Sequence, residues 1–114
     1  MIASTPQPPY YTVIFSSEAS DDTTGYGKMA ARMVALAQAQ RGFLGIETLN
    51  DTAGFGITVS YWEDEAAIRS WKRNAEHLRA QAQGQELWYA RYFLRVAKVE
   101  RAYSFSKHDQ ALEV

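Results

Sequence analysis

Between Tyr61 and His77 a strand end, a capped helix start, an indole and an imidazole follow one another closely, and these side chains are the ones equipped for chemistry. An indole can stack on a flat aromatic ring and donate one hydrogen bond, which suits Trp71 to a binding wall. An imidazole with an ordinary pKa of about 6.5 can take a phenolic proton at neutral pH, which makes His77 a candidate base if it reaches the same space. Core packing is the alternative for Trp71, and a surface position beside Glu76 and Arg79 is the alternative for His77. An unbroken helix would aim side chains six residues apart roughly 120° from each other. A break at Asn74, whose amide competes for helical backbone bonds, would let both face one cavity. Tyr61, Trp62 and Tyr92, with Asn74, are further candidates to line it.

Other chemistries have little support. Gly25 and Gly27 open a helix without the remaining glycines or the Lys-Ser/Thr pair of a phosphate loop. Two histidines without ligand spacing and no cysteine give no zinc signature, and Asp21-Asp22 reads as capping chemistry. Twelve basic and thirteen acidic residues leave a formal charge of −1, without the basic stripe that nucleic-acid binding requires. No apolar run is long enough for a membrane span, and Met1 to Tyr10 does not resemble a signal peptide. The expectation is a cytoplasmic protein that binds neither nucleic acid nor membrane.

These residues need elements to hold them. The 114 residues are enough for one domain with its own core. Pro6, Pro8 and Pro9 mark residues 1–9 as a flexible arm. Tyr10 to Ser17 alternates as a strand, with Tyr11, Val13 and Phe15 on one face and Ile14 on the other. Ser20 to Thr24 offers N-caps for a helix from about 23 to 40, which Gly42 would stop. Phe43 to Asn50 and Phe55 to Trp62 form a hairpin across Asp51 to Gly54. In its second strand Phe55, Ile57, Val59 and Tyr61 make an apolar face, while Gly56, Thr58, Ser60 and Trp62 make a mixed face suited to lining a cavity. Asp64 caps a second helix carrying Ala67, Ile68 and Trp71. Gly84 weakens the helix that follows, and the tract from Trp88 to Phe105 changes apolar phase near Ala97-Lys98, which a bulge would explain.

The order βαββαβ predicts an α+β, ferredoxin-like sandwich over residues 10–105, followed by a tail, 106–114. Two helices cover one face of a four-stranded sheet, yet the first and last strands in sequence are apolar on both. A sheet-to-sheet homodimer is the expected cover, and partial shielding by the arm and tail is the alternative.

Ser60-Tyr61-Trp62-Glu63, Ala66-Ala67-Ile68-Arg69-Ser70-Trp71, Glu76-His77 and the strand from Trp88-Tyr89 to Glu100-Arg101 together resemble the antibiotic biosynthesis monooxygenase (ABM) family. The resemblance implies a dimeric α+β barrel built of ferredoxin-like halves. It places Trp71 in the pocket between sheet and helices. It sets His77 where an aromatic-polyketide oxygenase has a Tyr, and Arg91 where that branch has an Arg able to stabilise a phenolate. The implied function is a cofactor-independent monooxygenase acting on a planar aromatic, polyphenolic or quinone-type molecule with dioxygen, through Trp71, His77 and Arg91. The alternative is a non-catalytic homodimer binding a small hydrophobic ligand or haem. Haem degradation is disfavoured: that branch needs an Asn on strand one and a His ten residues after the pocket Trp, and this chain has Val13, Ile14, Phe15 and Gln81 there. Strand parity groups Arg91 with Tyr89, Phe93 and Arg95, where a structural ion pair is the alternative role for the guanidinium.

Overall fold

The computed structural model describes residues 1–82 and 88–107, with the side chains of 79–82 left aside. Its elements are β1 (Tyr10–Ala19), α1 (Tyr26–Gln38), β2 (Phe43–Asn50), β3 (Phe55–Trp62), α2 (Glu65–Ala82) and β4 (Tyr89–Val99). The strands form one antiparallel sheet in the order β2-β3-β1-β4. This is the expected ferredoxin-like α+β fold. Gly84 and most of the tail, residues 108–114, lie outside the described residues.

Register assigns the faces. Val13 stands opposite Ser60 and Val96, and Phe15 opposite Thr58 and Leu94. Both helices cover this side. Trp62 and Val13 are its most deeply buried side chains and cluster with Ala37, Ala67 and Ile68. Burying a side chain of Val13's size stabilises the fold by about 1.5–3 kcal/mol. Phe43 and Trp71 pack on the Trp62 ring, with centroids 5.5 and 5.4 Å away, joining β2 and α2 to β3.

No helix among the described residues lies on the opposite sheet face. Leu49, Phe55, Ile57 and Phe93 are exposed there, as two-layer packing dictates. The N-terminal residues cover one end: the Ala3 amide donates to Glu47 Oε2 at 2.8 Å, and Thr5 Oγ1 donates to the Tyr10 hydroxyl at 3.0 Å. Tyr10 and Thr12 are buried. No helix among the described residues is long and apolar enough to cross a membrane.

Three local expectations need correction. Helix α2 continues through Asn74 without a break, because that side chain donates to Gln40 Oε1 at 3.3 Å instead of competing for its own backbone. The irregularity of β4 lies at its start, where Glu18 pairs with Arg91 but Ala19 with Tyr89. From Arg91 to Val99, across Ala97-Lys98, pairing is regular. Helix α1 begins after a left-handed Gly25 with no side-chain cap, and Asp22 Oδ1 accepts the Thr24 amide one turn earlier. Asp64 behaves as expected, its Oδ1 accepting the Ala67 amide at 2.8 Å.

Two glycines should respond oppositely to alanine. Gly42 has φ +87°, and a Cβ there would stand 2.7 Å from the Ala67 methyl, so Gly42→Ala should cost about 1–3 kcal/mol. Gly27 lies in α1 with open space around it, so Gly27→Ala should stabilise by up to about 1 kcal/mol. Urea unfolding midpoints read both, and a tolerated Gly42→Ala would contradict the tight approach of β2 to α2.

Candidate functional site

Between α1 and the helix-covered side of the sheet lies a cavity of about 270 Å³. Helix α1 gives it a wall of small or flexible apolar side chains, including Met29, Ala30, Met33, Val34 and Ala37. Opposite stand Val13, Phe15 and Ser17 of β1, Thr58 and Ser60 of β3, and Ile46 and Thr48 of β2. The mixed face of β3 thus lines a cavity through Thr58 and Ser60, as its alternation predicts. Trp71 reaches in from α2 near the Trp62 end, while Tyr26, Trp88 and Tyr89 close the end near Ala19. Trp88 is anchored there by donating from Nε1 to the Thr24 carbonyl at 2.7 Å, and its own carbonyl accepts the Ser20 amide at 2.8 Å.

Among the described residues the lining contains no charged side chain. Its polar groups are hydroxyls, one amide and indoles. Thr48 Oγ1 and Thr58 Oγ1 bond each other at 2.7 Å, and Trp62 Nε1 donates to Ser60 Oγ at 2.8 Å from beneath. Trp71 Nε1 is different: it is buried and has no acceptor among the described residues. An unmade hydrogen bond on a buried N–H costs about 1–3 kcal/mol, so this atom is poised for a partner.

Of the individual residues nominated for catalysis or substrate binding, Trp71 is the one in the described lining. Trp62 lies fully buried behind it, supporting Trp71 and Ser60. His77 is exposed on α2: the unbroken helix turns it away from the face that buries Ala67, Ile68 and Ala75. Asn74 is exposed and engaged with Gln40. Arg91 lies on the open sheet face beside Phe93 and Arg95, its Nε 4.0 Å from Glu18 Oε1 with both side chains largely exposed. Such a pair contributes little. The bulge puts Tyr89 on the cavity side and separates it from Arg91, correcting the parity grouping. Tyr92 is on the helix side but outside the lining, where its ring braces Phe15 at 5.2 Å and Tyr89 at 5.7 Å. Haem does not fit the described residues, since no described lining side chain is an imidazole and His77 stands outside.

Tyr61 is on the open face, donating to Glu47 Oε1 at 2.7 Å. Burial, then that hydrogen bond and the carboxylate charge, push its hydroxyl up to about 12. The Ala3 amide and then the Tyr61 hydroxyl hold the Glu47 carboxyl below its usual range.

Residues 9–83 match the family model described as antibiotic biosynthesis monooxygenase. The chain is 50% identical over 107 residues to "Uncharacterized protein YqjZ" of Bacillus subtilis (strain 168), covering 94% of each. Among solved structures it resembles SnoaB, a cofactor-independent oxygenase from Streptomyces nogalater, with a TM-score of 0.69 and 13% identity over 83% of this chain and 97% of that one. PA3566 from Pseudomonas aeruginosa superposes with a TM-score of 0.64 and 19% identity over 85% and 98% of the two chains. At these identities the structural likeness concerns the fold.

The paired titrations give a test. A phenol whose folded pKa is raised contributes stability that is intact below its unfolded pKa of about 10 and is lost as pH rises through about 12. Glu47, with its pKa lowered, contributes stability above its ordinary value of 4.5 that is lost as pH falls. Alkaline difference absorbance should show a tyrosine phase near pH 12, and Tyr61→Phe should remove it. A late phase surviving Tyr61→Phe would contradict the assignment.

Proposed function

The chain belongs to the antibiotic biosynthesis monooxygenase family, and from that premise we propose that its cavity binds a planar aromatic or quinone-type small molecule and oxygenates it without cofactor. The observation that carries this reading is the acceptorless Nε1 of Trp71 on a wall that is largely apolar and, among the described residues, free of charge. A flat ring system suits the space between α1 and the sheet, and a ring oxygen supplies the missing acceptor. Because Nε1 is shielded as it stands, binding involves a shift of the indole.

Trp71 is the catalytic residue in this reading. An anthrone-type substrate is acidic beside its carbonyl, and losing that proton moves charge onto the carbonyl oxygen. An N–H donor held in a site of low polarity stabilises the oxyanion more than the neutral ketone. The proton goes to water at the mouth, and the carbanion supplies electrons to dioxygen. A C–O bond forms, the O–O bond breaks, and a CH₂ group becomes C=O with release of water. His77 and Arg91, expected from sequence to share these steps, have no part in them within one chain.

The exposed apolar side chains of the open face support the homodimer reading, and proteins of this fold are typically dimeric. Sedimentation should give twice 12.9 kDa, and a monomer at micromolar concentration would remove the shared-sheet arrangement.

Under air, the protein should convert anthrone to anthraquinone faster than buffer does. Trp71→Phe should lower kcat/KM by about 10²-fold or more, while His77→Phe stays within threefold of the parent, by analogy with removal of one oxyanion donor. Equal rates for the parent and Trp71→Phe would end the assignment of Trp71. No acceleration over buffer would leave a binding protein only.

A further inference from the structure

We propose that Ser60 is a second hydrogen-bond donor to the ligand, converging with Trp71 on one carbonyl or enolate oxygen. The inference rests on the reading above and narrows its substrate class to planar ketones and their enolates. Ser60 is 5% exposed and lines the cavity from the centre of the sheet. Its position is fixed from two sides: Thr12 Oγ1 donates to its carbonyl at 3.0 Å, and Trp62 Nε1 donates to its Oγ at 2.8 Å. The second bond decides what the hydroxyl has left to offer. An indole nitrogen can only donate, so Ser60 Oγ must be the acceptor, and its own hydrogen has no acceptor among the described residues.

Ser60 and Trp71 therefore carry the same unmet requirement. Each has a donor hydrogen without an acceptor, each belongs to the lining of one cavity, and both contact Trp62, through a hydrogen bond and a ring contact of 5.4 Å. Donation from Trp62 polarises the Ser60 hydroxyl and makes it a better donor than a lone serine. With no cation among the described lining residues, these neutral donors favour an oxygen that is partly charged at rest and more charged after proton loss. A ring system lacking that oxygen leaves both donors unpaired, which is how a polar site rejects an apolar analogue.

Fluorenone and fluorene test this, because the pair differs by a carbonyl at nearly constant shape. Quenching of tryptophan fluorescence reads affinity, and infrared difference spectra read the bound carbonyl stretch. The parent should prefer fluorenone by about tenfold or more, and Ser60→Ala should reduce that preference roughly fivefold. The stretch should rise in frequency in Ser60→Ala, and Ser60→Thr should restore both readouts. If Ser60→Ala fails to fold, Trp71→Phe decides: a residual fluorenone preference supports Ser60 as donor, and its complete loss overturns the proposal. An unchanged preference and stretch in Ser60→Ala, or equal weakening of both ligands, also overturns it. If the parent binds both compounds equally, Ser60 falls while aromatic binding stands; if it binds neither, the functional reading falls too.

Discussion

The fully buried Trp62 is the contact on which the rest of the arrangement depends. Its ring meets Phe43 edge-on at 5.5 Å and Trp71 at 5.4 Å, so one side chain joins the β2 entry, the end of β3 and the inner face of α2. A buried indole must satisfy its N–H, and Trp62 does so on Ser60, two residues back on the same strand face. That single requirement links packing to chemistry. It occupies one of the two lone pairs of Ser60 Oγ and leaves the hydroxyl hydrogen for the cavity.

The cavity persists because its two walls are built from side chains that do not fill it. Ala30, Ala37 and Val34 on α1 face Ser60, Thr58 and Ser17 on the sheet, and the bulky rings collect at the two ends. The sheet therefore has two distinct faces. One holds the cavity with its neutral donors; the other holds exposed Leu49, Phe55, Ile57 and Phe93, with the Ala3–Glu47–Tyr61 hydrogen bonds fastening the N-terminal residues at one end.

What could be read from sequence was what is set locally. The period of two from Phe55 to Trp62 identified the strand and correctly sorted Thr58 and Ser60 onto the cavity side, because alternation fixes the face once one residue is known to be core. Asp64 announced the start of α2 through the same hydrogen bond that caps it. The misplaced features share a cause: a contact distant in sequence overrode the local signal. Asn74 reads as a helix breaker until Gln40, 34 residues earlier, engages its amide, and with α2 continuous His77 turns outward. Arg91 and Tyr89 share a parity on paper, but the shift opposite Glu18 and Ala19 separates them. Which face of α1 would line the cavity depends on how the helix packs over the sheet, and its own apolar spacing does not specify that.

The central claim is that a ligand oxygen completes the hydrogen bonding of Trp71, and the indole N–H region of a ¹H–¹⁵N spectrum reads this directly. The three tryptophans give three signals, two from N–H groups already bonded to Ser60 Oγ and the Thr24 carbonyl and one from Trp71. Saturation with a planar ketone should move the Trp71 signal downfield well beyond any change in Trp62 or Trp88. A Trp71 signal that stays in place while the ketone is demonstrably bound would contradict the account.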